Sequence, residues 1–437
     1  MPSLMPPSKN WRRFITVWSG QMASTVGSYM TRFALTIWLW NLSEQATPIA
    51  LLAFFTEIPG ILASLLAGAI ADRFPRKTLM ILGDSVAGLS TVIILWLYLG
   101  GSLEIWHLYL IGVFNGAFTR LQKLAYTASI TMLIPQQDYT RASGMGSVLH
   151  YGSVVIAPAV AGALYPIVDL LGILVIDLAT FTIAIATVLL VTIPNPASAS
   201  PVAKQDTPGS SLGKDIKFGF KYLLNRPGLF TLILIATVFQ FSHDIGKALY
   251  SPMILARSGN DTQILGMVSA AAGIGGILGS IVVSVWRIPG RKIDLVLFTM
   301  MGAGLSKILF GLGQTLLIWF PAQFLSSTHF PIMASARQAI VLTQVQADVQ
   351  GRVIAISSAF VGVASPLAKL VAGPLADRIF TPAMQEGGRL TEIFGGVFGT
   401  GEGSGLALLY TLSSLGLLCV GIAGYSFSNL KTIETYY

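Results

Sequence analysis

The chain has 437 residues, of which 53% are apolar and only 11% charged, and its mean hydropathy is +0.71. That balance excludes a water-soluble domain, and the formal charge of +8 is better read as basic loops beside a membrane than as a nucleic-acid footprint. A single cysteine, Cys419, excludes an intrachain disulfide and a cysteine-based metal site.

Apolar runs of about twenty residues recur from Val17 to Gly424. A bilayer core is crossed by ~20 apolar residues in a helix, and only helices or closed barrels satisfy their backbones there. The runs are continuous, not alternating, so the predicted fold is all-α and polytopic. Twelve spans are expected, over residues 14–40, 48–71, 78–99, 106–133, 143–165, 168–193, 229–256, 263–286, 293–313, 315–336, 353–376 and 404–427. The first run is too long for a signal peptide and lacks a small-residue cleavage site, so it reads as a retained span.

Span one places Gln21, Thr25, Ser28 and Arg32 on one helical face. Glu57 in span two lies at a depth matching Arg32, which makes an Arg32–Glu57 pair expected, either structural or able to exchange for a proton. The loop after span two reads GAIADRFPRK, residues 68–77. Gly68 there permits close helix approach, and Asp72, Arg73, Arg76 and Lys77 form a charged cluster. Span four aligns Asn115, Thr119 and Gln122, with Arg120 and Lys123 adding positive charge suited to an anionic substrate or a carboxylate partner.

Span five keeps Pro158 and Gly162 inside a helix, and span six carries Asp177. Residues 194–227 then break the pattern with a Pro/Ala/Ser-rich linker. They continue with an amphipathic stretch, Ser211 to Asn225, whose Ile216, Phe220, Leu223 and Leu224 share a face suited to the inner membrane surface. Span seven holds Gln240, His243, Asp244 and Lys247, a compact titratable group. Span ten offers Gln323, Ser326, Ser327 and His329. Lys307 and Lys369 are assigned snorkelling or structural roles. GTGEGSG, 399–405, lacks a preceding strand and a Lys-Ser/Thr ending, so it reads as a connection and not a phosphate loop.

Eighteen of the 27 basic residues fall in connections on one side, and only Arg257, Arg378 and Arg389 on the other. Positive residues collect on the cytoplasmic side, so both termini are expected there. The halves also repeat weakly at a fixed offset of 211 residues: Gly68 meets Gly279, Arg76 meets Arg287, Arg141 meets Arg352 and Gly162 meets Gly373. Parallel six-helix repeats are a transporter architecture with a site near the midplane.

The 68–77 loop resembles the Gly-x-x-x-Asp-Arg-x-Gly-Arg-Arg/Lys signature of the major facilitator superfamily, with Pro75 replacing the usual Gly and Trp286 standing where the second half would carry an Asp. Within it, WSGQMAS (18–24), IPQQDYTRASG (134–144), IAPAVAGALY (156–165), VIDLATF (175–181) and GRV (351–353) resemble the macrolide-efflux-like, enterobactin-exporter-like branch. The resemblance implies two six-helix bundles, residues 1–193 and 228–437, joined by a cytoplasmic linker, 194–227. It also implies that spans 1, 4, 7 and 10 line a path, with Gln21, Arg32, Asn115, Thr119, Gln122, Gln240, Lys247 and Gln323 facing substrate.

For any single Ser, Thr or Gln, an interhelical hydrogen bond of ~0.6–2 kcal/mol is the favoured account, whereas the four stripes taken together favour the path. Asp177 matches a recurrent position of the branch, and Pro158 with Gly162 resembles the exporter kink in span five. Asn115 stands where a coupling Arg is often found.

The resulting expectation is a monomeric secondary exporter of the inner (plasma) membrane, moving a drug-like or small metabolite substrate by alternating access. Protons are the driving partner and Glu57, Asp177, His243 and Asp244 their carriers. A siderophore or lysophospholipid transporter and an uncoupled facilitator are the alternatives. No cofactor, metal, nucleic-acid partner or enzymatic activity is expected.

Overall fold

The computed structural model describes residues 9–192, 212–286, 290–346 and 349–434; within these, the side chains of residues 9, 65–73, 131, 140 and 212–216 lie outside the description. The described residues form helices and turns. In chain order they are α1 (Lys9–Ser43), α2 (Ala46–Arg73), α3 (Arg76–Leu99), α4 (Ile105–Leu133) and α5 (Tyr139–Leu190), then α6 (Leu212–Leu224), α7 (Pro227–Ser258), α8 (Thr262–Val285), α9 (Lys292–Leu312) and α10 (Leu316–Gln344). α11 (Gln350–Leu375) runs through a π turn, Ala376–Phe380, into α12 (Thr381–Met384); α13 (Thr391–Phe398), α14 (Ser404–Gly424) and α15 (Ser428–Lys431) complete the chain. The long connection expected after span eleven is thus itself largely helical.

Eight of the described helices are long and apolar enough to cross a membrane: α2, α3, α5, α7, α8, α9, α14, and α11 with its continuation. α5 serves as two crossings, because Asp169 breaks it with φ 53° and ψ −170°, between the expected fifth and sixth spans. α1, α4 and α10 are 35, 29 and 29 residues long, so length does not exclude them. They fall below the apolar threshold because they carry polar stripes, which is the pattern expected of helices that line something other than lipid.

Large apolar side chains stand fully outside the protein, among them Trp96 at 73%, Leu190 at 81% and Leu317 at 87% exposed. Such a surface is a liability in water and the requirement in lipid. This is an all-α, polytopic membrane protein.

The chain divides into two compact units, residues 1–42 with 51–203, and residues 43–50 with 204–437. In the first, Trp11, Phe14, Leu79, Met80, Leu133 and Val188 form a buried cluster from α1, α3, α4 and α5, and the Arg141 guanidinium lies 4.1 Å from the Trp11 ring centroid. In the second, Leu229, Phe239, Val296, Met300, Ile340 and Val353 bring α7, α9, α10 and α11 together. α10 packs on α8 and α9, and α14 on α7 and α9. Glycine makes the α8–α10 approach possible: a Cβ on Gly275 or Gly279 would strike the Phe324 or Thr328 carbonyl. In the same unit the Asp377 carboxylate accepts from the Ala46 and Thr47 amides at 3.0 and 2.7 Å, capping the start of α2.

Two expectations need correction. α6 does not spend its apolar face on a lipid surface alone. Leu223 is buried, Phe220 stacks on Phe360 with centroids 6.0 Å apart, and Phe218 lies under the Arg352 guanidinium, so the helix docks on α11. Arg337, expected in a loop after span ten, sits inside α10. The helix continues to Gln344 because Ile340 and Val341 still have a core to bury against.

Candidate functional site

In the first unit two buried carboxylates organise the polar groups of four crossings. Asp84 of α3, only 6% exposed, accepts from the Gln21 side chain at 2.9 Å and from Gln122 at 3.2 Å. Gln122 also donates to the Gln21 Oε1 at 2.5 Å, closing a triangle between α1, α3 and α4. Gly83 makes room for it, since a Cβ there would collide with the Gln122 side chain.

Asp177, in the second half of α5 and 5% exposed, accepts from the hydroxyls of Ser28 at 3.4 Å, Thr31 at 2.9 Å and Thr91 at 2.9 Å. Gly27 keeps that space open, as a side chain there would meet Asp177 and Thr180. Between the two carboxylates along α3, the Ser90 hydroxyl donates to the Asn115 Oδ1 at 3.0 Å.

Among the described residues the hydrogen-bond partners of both carboxylates are neutral. A charge at bilayer depth costs about 2.5–3.5 kcal/mol on insertion scales, while each hydrogen bond to a charged group returns about 1.5–3 kcal/mol. Two or three such bonds offset the cost of keeping a carboxylate at that depth.

Of the residues expected at a site, Gln21 and Gln122 meet at Asp84, Asn115 bonds Ser90, and Asp177 sits in a separate hydroxyl cage. Asp84 was not singled out from the sequence, although its signal was available as the sole acid in the 24 residues of α3. Arg32 does not join Glu57. It stands over the Tyr29 ring, 5.3 Å from the centroid, and no ion pair links the two acids' and bases' positions among the described residues; Glu57 itself is half-buried on α2. Thr119 is exposed.

In the second unit the group expected on one turn of α7 separates. Asp244, 1% exposed, accepts from the Gln240 side chain at 2.6 Å, one turn back. His243 turns toward α10, its ring centroid 4.5 Å from that of Phe330, and its Nδ1 is buried without a hydrogen-bond partner. Lys247 remains exposed.

Lys307 and Lys369, assigned structural roles from sequence, are instead buried at 4% and 3% exposed and share this neighbourhood. Lys307 donates to the Tyr410 hydroxyl at 3.1 Å and Lys369 to the Ser365 hydroxyl at 3.1 Å. Together with Lys247 they act electrostatically on His243. Their spacing in sequence, on α9 and α11, carried no hint of this. Gln323 donates weakly to Ser327 at 3.4 Å, while its Oε1 and the Ser326 hydroxyl are buried and unpartnered.

Of the loop signature, Gly68, Asp72 and Arg73 have side chains outside the described residues. The Lys77 ammonium binds the Leu189 and Val191 carbonyls at 3.0 and 2.9 Å, closing the end of α5 where carbonyls lack helical partners. Arg76 opens α3 beside it. Pro158 and Gly162 are buried inside α5. No three His, Cys, Asp or Glu side chains converge as metal ligands would among the described residues.

With this geometry in view, comparison with known proteins is decisive on family. Residues 3–384 match the family described as transmembrane secretion effector. The chain belongs to that family of the major facilitator superfamily. It is 24% identical over 383 residues to macrolide efflux protein A of Streptococcus pyogenes, covering 86% of this chain and 92% of that one. It is 26% identical over 381 residues to the uncharacterized MFS-type transporter YfiS of Bacillus subtilis (strain 168), covering 86% and 89%. Among solved structures, a bacterial homologue of the human lysosomal transporter Spinster, inward-facing and unoccupied, superposes with TM-score 0.70 at 17% identity, covering 98% of this chain and 99% of that one. At that identity the likeness is one of fold. A major facilitator protein is a multi-pass membrane transporter of small molecules and not an enzyme.

Proposed function

We propose that this protein is a proton-coupled exporter of a drug-like or small metabolite substrate, working by alternating access in the plasma membrane with both termini cytoplasmic. Relatives named for macrolide efflux support the direction. Residues 1–193 and 228–437 are the two moving parts and 194–227 the tether between them, and the protein works as a monomer. The observation that carries the coupling is the pair of buried carboxylates, Asp84 and Asp177, held by neutral donors alone. Asp177 was expected as a carrier and Asp84 joins it; His243, Asp244 and Glu57 stay candidates.

In this reading a carboxylate is protonated when its cavity opens outward and releases the proton inward. The hydroxyl and amide cages make either form tolerable during the change. Gln21, Asn115, Gln122, Gln240, Lys247 and Gln323 contribute polar contacts to the substrate path, and Thr119 and Arg32, both exposed, face it.

The test uses inverted membrane vesicles with an imposed pH gradient, interior acidic, and a panel of labelled macrolides and organic anions. The gradient should drive accumulation in the wild type. Asp177→Asn and Asp84→Asn should each abolish accumulation against a gradient while leaving downhill equilibration measurable. Accumulation that persists in both variants would falsify the assignment of coupling to these carboxylates.

A further inference from the structure

Within the second unit, α7, α10 and α11 line a half-open cavity of about 290 Å³. Its polar lining is Gln240 from α7, Arg337 and Gln338 from α10, and Ser357, Ser358 and Ser365 from α11; neither Asp nor Glu lines it. Arg337 is half-buried, and the ion pair found among the described residues, Lys292 with Glu434, does not involve it.

The groups behind the lining sharpen the sign of the site. Gln240 spends its donor on Asp244 and so stands between that carboxylate and the cavity. Ser365 accepts from Lys369, so an ammonium backs the opposite wall. Lys247, Lys307 and Lys369 act together on His243, with Asp244 as the carboxylate among them. Four basic groups, Arg337, Lys247, Lys307 and Lys369, against one carboxylate, Asp244, leave the excess charge of this neighbourhood positive.

We propose that this cavity takes the anionic end of the transported molecule, a carboxylate, sulfonate or phosphate on an organic frame, with Arg337 as its counter-charge. The proposal names the substrate class of the exporter and rests on that reading. A planar guanidinium offers a fork of N–H donors that matches two oxygens of an oxyanion, and serine hydroxyls and the Gln338 amide supply further donors around it. The volume is at the small end for ligand pockets, so it suits a charged head and a ring or two, with the remainder of the molecule outside. A cation would face Arg337 and the lysines behind the wall.

The experiment is fluorescence polarisation on the full-length protein in phosphatidylcholine discs, with two dyes that share a xanthene frame and differ in charge: anionic fluorescein and cationic pyronin Y. Fluorescein should bind saturably and pyronin Y about tenfold more weakly or not at all. Arg337→Gln should weaken fluorescein about tenfold, the loss of one charge-assisted contact, and Arg337→Lys should restore part of it.

Gly362→Leu is the second variant. Gly362 lines the cavity and a Cβ there meets nothing within 4 Å, so the protein should fold while the leucine occupies the space and blocks fluorescein. Equal affinity for the two dyes, no binding of fluorescein, or wild-type binding in Arg337→Gln or Gly362→Leu overturns the proposal. Loss of fluorescein binding in discs enriched in phosphatidylglycerol assigns the cavity to a lipid headgroup and overturns it as well. Gradient-driven transport in vesicles without fluorescein binding at Arg337 sinks this inference and leaves the exporter standing; the converse result sinks the exporter reading alone.

Discussion

Gly27 and Gly144 show how differently two helix glycines can be used. A Cβ on Gly27 would run into the Asp177 carboxylate and the Thr180 hydroxyl, whereas one on Gly144 meets nothing within 4 Å. Gly27→Ala should therefore pry α1 from α5 and disturb the hydroxyl cage, costing about 1–3 kcal/mol as overpacking does. Gly144→Ala should change stability by no more than about 1 kcal/mol, toward greater stability, as glycine is replaced in a helix. Thermal unfolding of the purified variants in detergent measures both, and equal melting temperatures for the two would contradict the packing described here. The same scale explains why Asp177 was legible and Asp84 less so. Each is an acid in an apolar run, but only Asp177 was singled out as a candidate carrier. That Gln21 and Gln122 converge on Asp84 depends on contacts 63 and 38 residues away in sequence, which no local pattern encodes.

At the scale of elements, the break in α5 is a joint with two requirements. Asp169 adopts φ 53°, a conformation glycine accepts and other residues resist. Its carboxylate compensates by accepting from the Tyr98 hydroxyl at 2.9 Å and the Leu170 amide at 2.7 Å. Asp169→Ala keeps the strain and loses both bonds, so it should destabilise by about 1–3 kcal/mol. Asp169→Gly loses the bonds but relieves the strain and should cost less; a glycine variant that melts below the alanine variant would refute this account. Spans were readable as elements because ~20 apolar residues in a row have few structural uses. Even the polarity of α1, α4 and α10 was visible as stripes. What the pattern missed was the reach of α10 past residue 336. Its last two turns are amphipathic, and a short amphipathic stretch at a membrane edge reads equally well as a loop or as a continuing helix.

For the whole molecule, the distribution of Lys and Arg predicts that the 194–227 connection and the α12–α13 region lie on opposite faces of the membrane. The single native cysteine makes the check direct. In a Cys419→Ser background, Glu392→Cys should react with a membrane-impermeant maleimide in intact cells, and Asp206→Cys only after permeabilisation. Labelling of both from outside would overturn the orientation.

By itself the sequence determined the all-helical membrane class, the order of the long helices, and which of them carry polar stripes. Those properties follow from local composition and from the bilayer's demand that every backbone group be satisfied within its own segment. Only the tertiary structure decided which buried charges meet. It set Asp84 and Asp177 in neutral cages, turned Asp244 away from His243 toward Gln240, gathered lysines from α7, α9 and α11 near one histidine, and drew Arg337 into a cavity wall. Those outcomes depend on how helices far apart in sequence rotate and pack, and charges on separate helices announce their partners only once the packing is known.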